Sequence, residues 1–185
     1  MNTIRLHTPR LELIAADREI VHADRHTRNL LPGLLSAALP AVWPPPLNDD
    51  STLEWVLNYM ETHPGTAGWS VWYFILNPSA SQRVTIGLGG FKGPPAEDGS
   101  VEVGYSLVEE YQRKGLATEA TNELVRWAFG HPEVSKVAAE TYPHLSPSIR
   151  VLEKAGFSYI GEGSETLTIR FEMTREDWLQ VDSLK

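Results

Sequence analysis

The run Val101-Glu102-Val103-Gly104-Tyr105-Ser106-Leu107, followed shortly by Tyr111-Gln112-Arg113-Lys114-Gly115-Leu116-Ala117-Thr118-Glu119-Ala120, decides how this chain is read. The first part reads as a strand. Glu102, Gly104 and Ser106 share one face, and Val101, Val103, Tyr105 and Leu107 share the other. The second part passes two cations and a glycine into an apolar stripe of Leu116, Ala120, Leu124, Val125 and Ala128, which predicts a helix from Gly115 to Phe129. A helix start leaves up to four N–H groups without intrahelical partners, and the aligned peptide dipoles add about half a positive charge there. Strand, short cationic turn and helix start together make a candidate phosphate site. Gly115 would let the backbone approach the anion, Arg113 and Lys114 would add charge, and Thr118 a hydroxyl. An ordinary strand-to-helix connection is the alternative that residue types alone allow. Other phosphate motifs fit worse: Lys114 precedes Gly115, the reverse of Walker A, and no G-x-G-x-x-G follows the strand.

Working outward, Leu11, Leu13 and Ala15 alternate as a strand after Thr8-Pro9-Arg10, and Asp17 reads as the cap of a helix through Ile20 and Val21. Ser51-Thr52-Leu53-Glu54 reads as a capping box for a helix carrying Trp55, Val56, Tyr59 and Met60, stopped at His63-Pro64-Gly65. Trp69 to Leu76, Val84 to Lys92 and Ser100 to Leu107 form an antiparallel meander, turning at Asn77-Pro78-Ser79 and between Gly93 and Gly99. Lys136 to Thr141 is a strand. Ser146-Pro147 supplies an N-cap and first-position proline for a helix carrying Ile149, Val151, Leu152 and Ala155. Phe157 to Ile160 and Leu167 to Met173 are the last strands, and Thr174 opens a final helical turn. The chain reads as one mixed α/β domain over residues 1–185.

Composition narrows the function. The chain has 185 residues, 42% of them hydrophobic, so it builds a core without a metal or disulfide staple. It has no cysteine, which removes thiolate catalysis and cysteine-ligated zinc. A net charge of −8 argues against non-specific nucleic-acid binding and favours cationic or amine-bearing partners. The uncharged stretch from Leu30 to Leu47 is long enough for a membrane span, but Pro32, Pro40, Pro44, Pro45 and Pro46 break it, so no membrane segment is expected. The N-terminus lacks the apolar region of a signal peptide, and the cytoplasm is the expected compartment.

Gln112-Arg113-Lys114-Gly115-Leu116-Ala117 resembles the acyl-CoA pyrophosphate loop, Q/R-x-x-G-x-G/A, of the GNAT acetyltransferase superfamily. Three runs resemble the branch containing ribosomal-protein N-terminal acetyltransferases: Thr8-Pro9-Arg10-Leu11-Glu12-Leu13, the stretch from Glu102 to Ala120, and Ser148-Ile149-Arg150-Val151-Leu152-Glu153-Lys154-Ala155-Gly156-Phe157. The resemblance implies a mostly antiparallel sheet of six to seven strands, with central strands that splay around pantetheine. It also implies direct acetyl transfer from acetyl-CoA to a primary amine. By this likeness Leu107 and Val108 lie near pantetheine, and Gln112, Arg113, Lys114, Gly115, Leu116, Ala117 and Thr118 hold the pyrophosphate, mainly through main-chain N–H groups.

Such chemistry needs a base for the amine, a stabilised oxyanion and a proton for the thiolate. Glu102, on the small-residue face of its strand, is the first candidate base; Glu165, after the Gly-Phe strand, is the second. Ser148 matches the serine that lies near the CoA sulfur in this branch. Two departures stand out. Leu145 replaces the usual asparagine, and Leu152 replaces the tyrosine acid of other branches, leaving Ser148, Tyr142 or water as proton donors. His22 and His26 have the spacing of a metal pair, but Ala23 stands where H-E-x-x-H has glutamate, so no metal is expected. Trp43, Trp55, Trp69 and Trp72 read as core aromatics, one or two of which could line the acceptor pocket.

The acceptor is expected to be an amine-bearing small molecule or a peptide N-terminus. An α-amino group deprotonates at pH 7 for about 3 kcal/mol less than lysine. The proline-rich segment from Leu30 to Asp50 is expected to wall the acceptor side, with Asn48-Asp49-Asp50 available to attract a cation. An aminoglycoside-type acetyltransferase and a non-catalytic CoA-binding module are the alternatives, and a homodimer is compatible with the sequence.

Overall fold

The computed structural model describes residues 3–77 and 82–183. Most of the turn expected at Asn77-Pro78-Ser79 therefore lies outside the described residues. The strands are β1 (Arg5–His7), β2 (Leu11–Ala15), β3 (Val71–Leu76), β4 (Val84–Phe91), β5 (Ser100–Leu107), β6 (Lys136–Thr141), β7 (Ser158–Glu162) and β8 (Ile169–Thr174). The helices are α1 (Arg18–His26), α2 (Leu31–Leu35), α3 (Asp50–Thr62), α4 (Leu116–Phe129), α5 (Ser146–Ala155) and α6 (Arg175–Asp182). The sheet order is β1-β2-β3-β4-β5-β6-β8-β7, and among these described strand pairs β5 and β6 alone run parallel. Eight strands exceed the six to seven expected. The clearest addition, β1, has three residues and is too short to show a period.

The sheet is covered on both faces, which explains why β3 reads as an unbroken apolar run. Trp72 and Phe74 enter a core with Leu116, Leu124 and Ala128 of α4 and Leu152 of α5. Val71, Tyr73 and Ile75 enter a second core with Ile20 and Val21 of α1, Leu31 and Leu35 of α2, and Leu53 and Leu57 of α3. For the same reason β2 is buried throughout instead of alternating. Glu12 is tolerated there because Arg5 (2.7 Å) and Arg83 neutralise it.

Local chemistry corrects three expectations. Asp49, not Ser51, caps α3, its carboxylate accepting from the amides of Ser51 and Thr52 (3.0 Å each). Leu145, not Ser146, is the N-cap residue of α5. Thr174 does more than open a turn: with Asp177 it forms a capping box that starts α6. The cap of α1 by Asp17 stands as expected, while α4 starts one residue later than expected, with Gly115 as its N-cap.

The feature that positions the site lies between β5 and β6. Their ladder spans only Ser100–Lys136, Val101–Val137 and Glu102–Ala138. From Val103 onward β5 still pairs with β4, while β6 continues to pair with β8. The two central strands therefore diverge into a fork. Opposite β5, the bare glycines of β4 let the strands approach: a Cβ on Gly87 would lie 2.3 Å from the Ser106 carbonyl, and one on Gly89 2.5 Å from that of Gly104.

Candidate active site

A cavity of about 470 Å³ opens at this fork. It is lined by β5 from Glu102 to Leu107, the end of β6, the first turns of α4 and α5, Pro46 and Leu47, and Lys92 and Glu165.

At one end stands the cationic turn. Arg113 (φ +59°) and Gly115 (φ +76°) are both left-handed and curl the backbone. The main-chain N–H groups of Arg113 to Thr118 have no acceptor among the described residues. These are the orphan donors of a helix start, and a fourteen-residue helix stands behind them. Gln112, Arg113, Gly115, Ala117 and Thr118 line the cavity, as does Leu107. Val108, Lys114 and Leu116 do not. Val108 extends the β5 ladder, its amide bonding the Ile86 carbonyl at 2.9 Å, and Leu116 is buried in the core. The Lys114 ammonium lies over the Tyr111 ring, 5.3 Å from its centroid.

The turn is held from two sides. The Gln112 side-chain amide donates to the Leu107 carbonyl at 2.9 Å. Arg10 donates to the Lys114 carbonyl at 3.0 Å and, with Thr8, grips Glu119. Glu119 is buried enough to raise its pKa, but the bonds from Thr8 and Arg10 bring it below the ordinary value. The Thr8-Pro9-Arg10 segment thus reaches the turn through space.

In the middle of the fork, Ser148 sits in the first turn of α5, facing Tyr105 of β5. The Tyr105 hydroxyl donates to the Ser148 carbonyl at 3.1 Å and lies 3.3 Å from the Ser148 hydroxyl. Burial pushes the Tyr105 phenol up to about 12, against the pull of Ser148, so it stays protonated at neutral pH. Tyr142, Leu145 and Leu152 also line the cavity.

The opposite end is charged. Lys92 follows β4 and lies across from Glu102; its amide bonds the Glu102 carbonyl at 3.0 Å. Its ammonium is 2.5 Å from Glu102 Oε1 and 3.3 Å from Glu165 Oε1. The two candidate bases thus share one cation. Burial opposes the Lys92 charge, but Glu102 and then Glu165 raise its pKa above that of an ordinary lysine.

Beside them Glu140 of β6, its side chain 4% exposed, accepts from the Ser164 amide (2.8 Å), the Thr168 hydroxyl (2.8 Å) and Arg170 (3.0 Å). Burial alone would raise this carboxyl; the hydrogen bonds overcome it and hold the pKa at about 2 against an ordinary 4.5. A depressed carboxyl stabilises the fold above its ordinary pKa and loses that contribution as acid protonates it. Glu140→Gln is expected to cost about 2 kcal/mol at neutral pH and to flatten the stability loss between about pH 4.5 and 2. Urea unfolding at stepped pH checks both, and an unchanged acid limb would count against the network.

The acceptor-side expectations divide. Pro46 and Leu47 do line the cavity, and the Ser106 hydroxyl holds the Pro46 carbonyl at 2.7 Å. Asp49 caps α3 and Asp50 pairs with Arg25 and Arg28, and neither lines the cavity. None of Trp43, Trp55, Trp69 and Trp72 lines it either. Trp69 and Trp72 are core residues, while Trp55 is exposed. The rings of His22 and His26 lie tilted against each other with centroids 4.7 Å apart, and no group of three or more metal-ligating residues occurs among the described residues. No described helix is long and apolar enough to cross a membrane.

The sequence reading missed Lys92, Tyr105, Glu140 and Arg170. For Lys92 a signal existed: extending the β4–β5 pairing through its turn places it opposite Glu102. The partners of Tyr105 and Glu140 are distant in sequence and follow only from the fold, as does the reach of Arg170 to Glu140.

The fork between the parallel central strands carries an amide-lined turn suited to an anion at one end and carboxylates suited to a cation at the other. Residues 10–158 match the family described as the acetyltransferase (GNAT) domain, and the chain belongs to that family of N-acetyltransferases. It is similar to the uncharacterized N-acetyltransferase YjdG of Bacillus subtilis, 27% identical over 156 residues, covering 83% of this chain and 89% of the relative. Its fold is similar to that of the ribosomal-protein-S5-alanine acetyltransferase of Vibrio fischeri (TM-score 0.61, 20% identity, covering 95% and 98% of the two chains). It is equally similar to the aminoglycoside acetyltransferase AAC(6')-Ib in complex with coenzyme A (TM-score 0.64, 18% identity, 93% and 99%). At such identities the likeness speaks to the fold alone.

Proposed function

We propose that the protein transfers an acetyl group from acetyl-CoA directly to a primary amine, of a peptide or protein N-terminus or of a small molecule. The observation that carries this reading is the single cavity joining the unpartnered amides of residues 113–118 to Glu102 through the fork. Acetyl-CoA would supply the activated thioester. The turn from Gln112 to Thr118 would take its pyrophosphate, and Leu107, at the end of β5, would flank pantetheine. The protein's own groups then divide the work. Glu102 takes the amine proton, directly or through water. Ser148 donates a hydrogen bond toward the departing sulfur, and Tyr105 holds the Ser148 turn in place.

The acceptor stays at the level of a primary amine, because structural neighbours with a ribosomal-protein and an aminoglycoside acceptor fit the fold equally well. The experiment is calorimetry with acetyl-CoA, followed by thiol release across a panel of peptides and amines. Absence of acetyl-CoA binding removes the reading. Binding without release on any amine converts it to a CoA-sensing module. Within an active pair, Ser148→Ala is expected to lower kcat at least about tenfold with acetyl-CoA affinity nearly unchanged. An unaltered kcat would assign the proton to Tyr142 or water.

A further inference from the structure

The charged end of the cavity already contains a primary ammonium, and it belongs to the protein. Lys92 Nζ touches both Glu102 and Glu165, the two carboxylates suited to receive an acceptor's proton. We propose that Lys92 is a place-holder whose ammonium occupies the position an acceptor ammonium takes, so that Lys92 sets acceptor affinity by competing with it. This rests on the acetyltransferase reading and adds to it a specificity-determining residue outside the reacting groups.

Three observations support the assignment. First, the Lys92 main chain is fixed while its side chain reaches solvent. The backbone is tied to Glu102 by the 3.0 Å bond, yet the side chain is 55% exposed and can swing to solvent with no main-chain change. Second, the neighbouring charges are already committed. Glu140 holds three donors, and Arg170 divides its guanidinium between Glu140 (3.0 Å) and Glu172 (2.9 Å), reaching Glu102 only at 4.0 Å. Glu102 and Glu165 are therefore the carboxylates whose short-range cation is a half-exposed lysine. Third, the same two carboxylates keep Lys92 protonated, which makes it a stable occupant and a poor nucleophile. An acceptor must then arrive as a cation to replace it. Alkylammonium groups meet that demand, and weakly basic aromatic amines do not.

The test uses the full chain saturated with CoA and titrates n-butylammonium, n-butanol and aniline as probes, followed by NMR. Exposed ion pairs of this kind are worth little each, so Lys92→Met is expected to bind n-butylammonium about three- to tenfold more tightly than wild type. Lys92→Gln is expected to behave likewise, Lys92→Arg to stay near wild type, and the two neutral probes to be indifferent to all three changes. Equal or weaker n-butylammonium binding in Lys92→Met and Lys92→Gln overturns the proposal and leaves Lys92 as a latch between two loops. So does no detectable binding to any variant. Acetylation of Lys92 itself, seen by mass spectrometry after incubation with acetyl-CoA, would also overturn it, because the amine would then be a nucleophile. Failure of CoA to bind at all is a separate result, and it strikes the acetyltransferase reading.

Discussion

Glu102→Gln is expected to lower kcat by about a hundredfold or more while leaving acetyl-CoA affinity within about twofold. The amide keeps the shape of the carboxylate but cannot take a proton, and a positioned general base contributes roughly 10²–10⁴ in rate. Glu102 sits at the carboxylate end of the cavity, remote along β5 from the turn that would bind the pyrophosphate, so binding and chemistry should separate cleanly. Its ion pair with Lys92 joins partly exposed side chains, 20% and 55% accessible, and losing that pair alters stability by less than about 1 kcal/mol. Thiol-release kinetics and calorimetry on the same preparation provide both numbers. Unchanged kcat would transfer the base role to Glu165, which shares the lysine and is the next variant to make.

The second large effect concerns stability. Asp24 of α1 is fully buried and accepts from the Trp43 indole (2.9 Å), the Tyr73 hydroxyl (2.8 Å) and Arg28 (3.0 Å). Burial first, then the adjacent Asp24, pushes the Tyr73 phenol well above its ordinary pKa, so it remains a neutral donor. Asp24→Ala strands an indole N–H and a phenol O–H at once and leaves the Arg28 guanidinium to the Asp24 main-chain carbonyl and Asp50. Leaving two buried donors unsatisfied costs about 2–5 kcal/mol. In a chain of this size that corresponds to a melting temperature lower by roughly 10 °C. Trp43 also anchors the segment that brings Pro46 and Leu47 to the cavity. The same substitution is therefore expected to raise acceptor KM more than it weakens acetyl-CoA. Thermal unfolding reads the first effect, and a loss below about 1 kcal/mol would show that Asp24 is not a structural hub.

What the sequence made legible followed from short-range physics. The α4 stripe, the Asp17 cap and the strand limits of β5 and β6 all depend on residues within a few positions of one another. The candidate site was legible for the same reason: strand, turn and helix start are contiguous from Glu102 to Thr118. Where the reading failed, competition was at work. Ser51 and Asp49 both can cap, and the carboxylate, reaching two amides at once, prevails. Glu12 looked like the solvent side of a strand because Arg83, 71 positions away, was invisible as its partner. Lys92 was read only as a strand end, since its meaning depends on Glu165, a residue 73 positions later.

The brevity of the join between β5 and β6 has a mechanical consequence. Among the described residues three rungs stitch the β1–β5 half of the sheet to the β6–β8 half, and beyond Glu102 the two margins no longer pair with each other. An extended guest lying in the wedge would serve as the missing strand, borrowing rungs from both margins. Cohesion between the halves and grip on the guest would then be one quantity: whatever loosens the seam loosens the hold, and loading the wedge stiffens the whole chain.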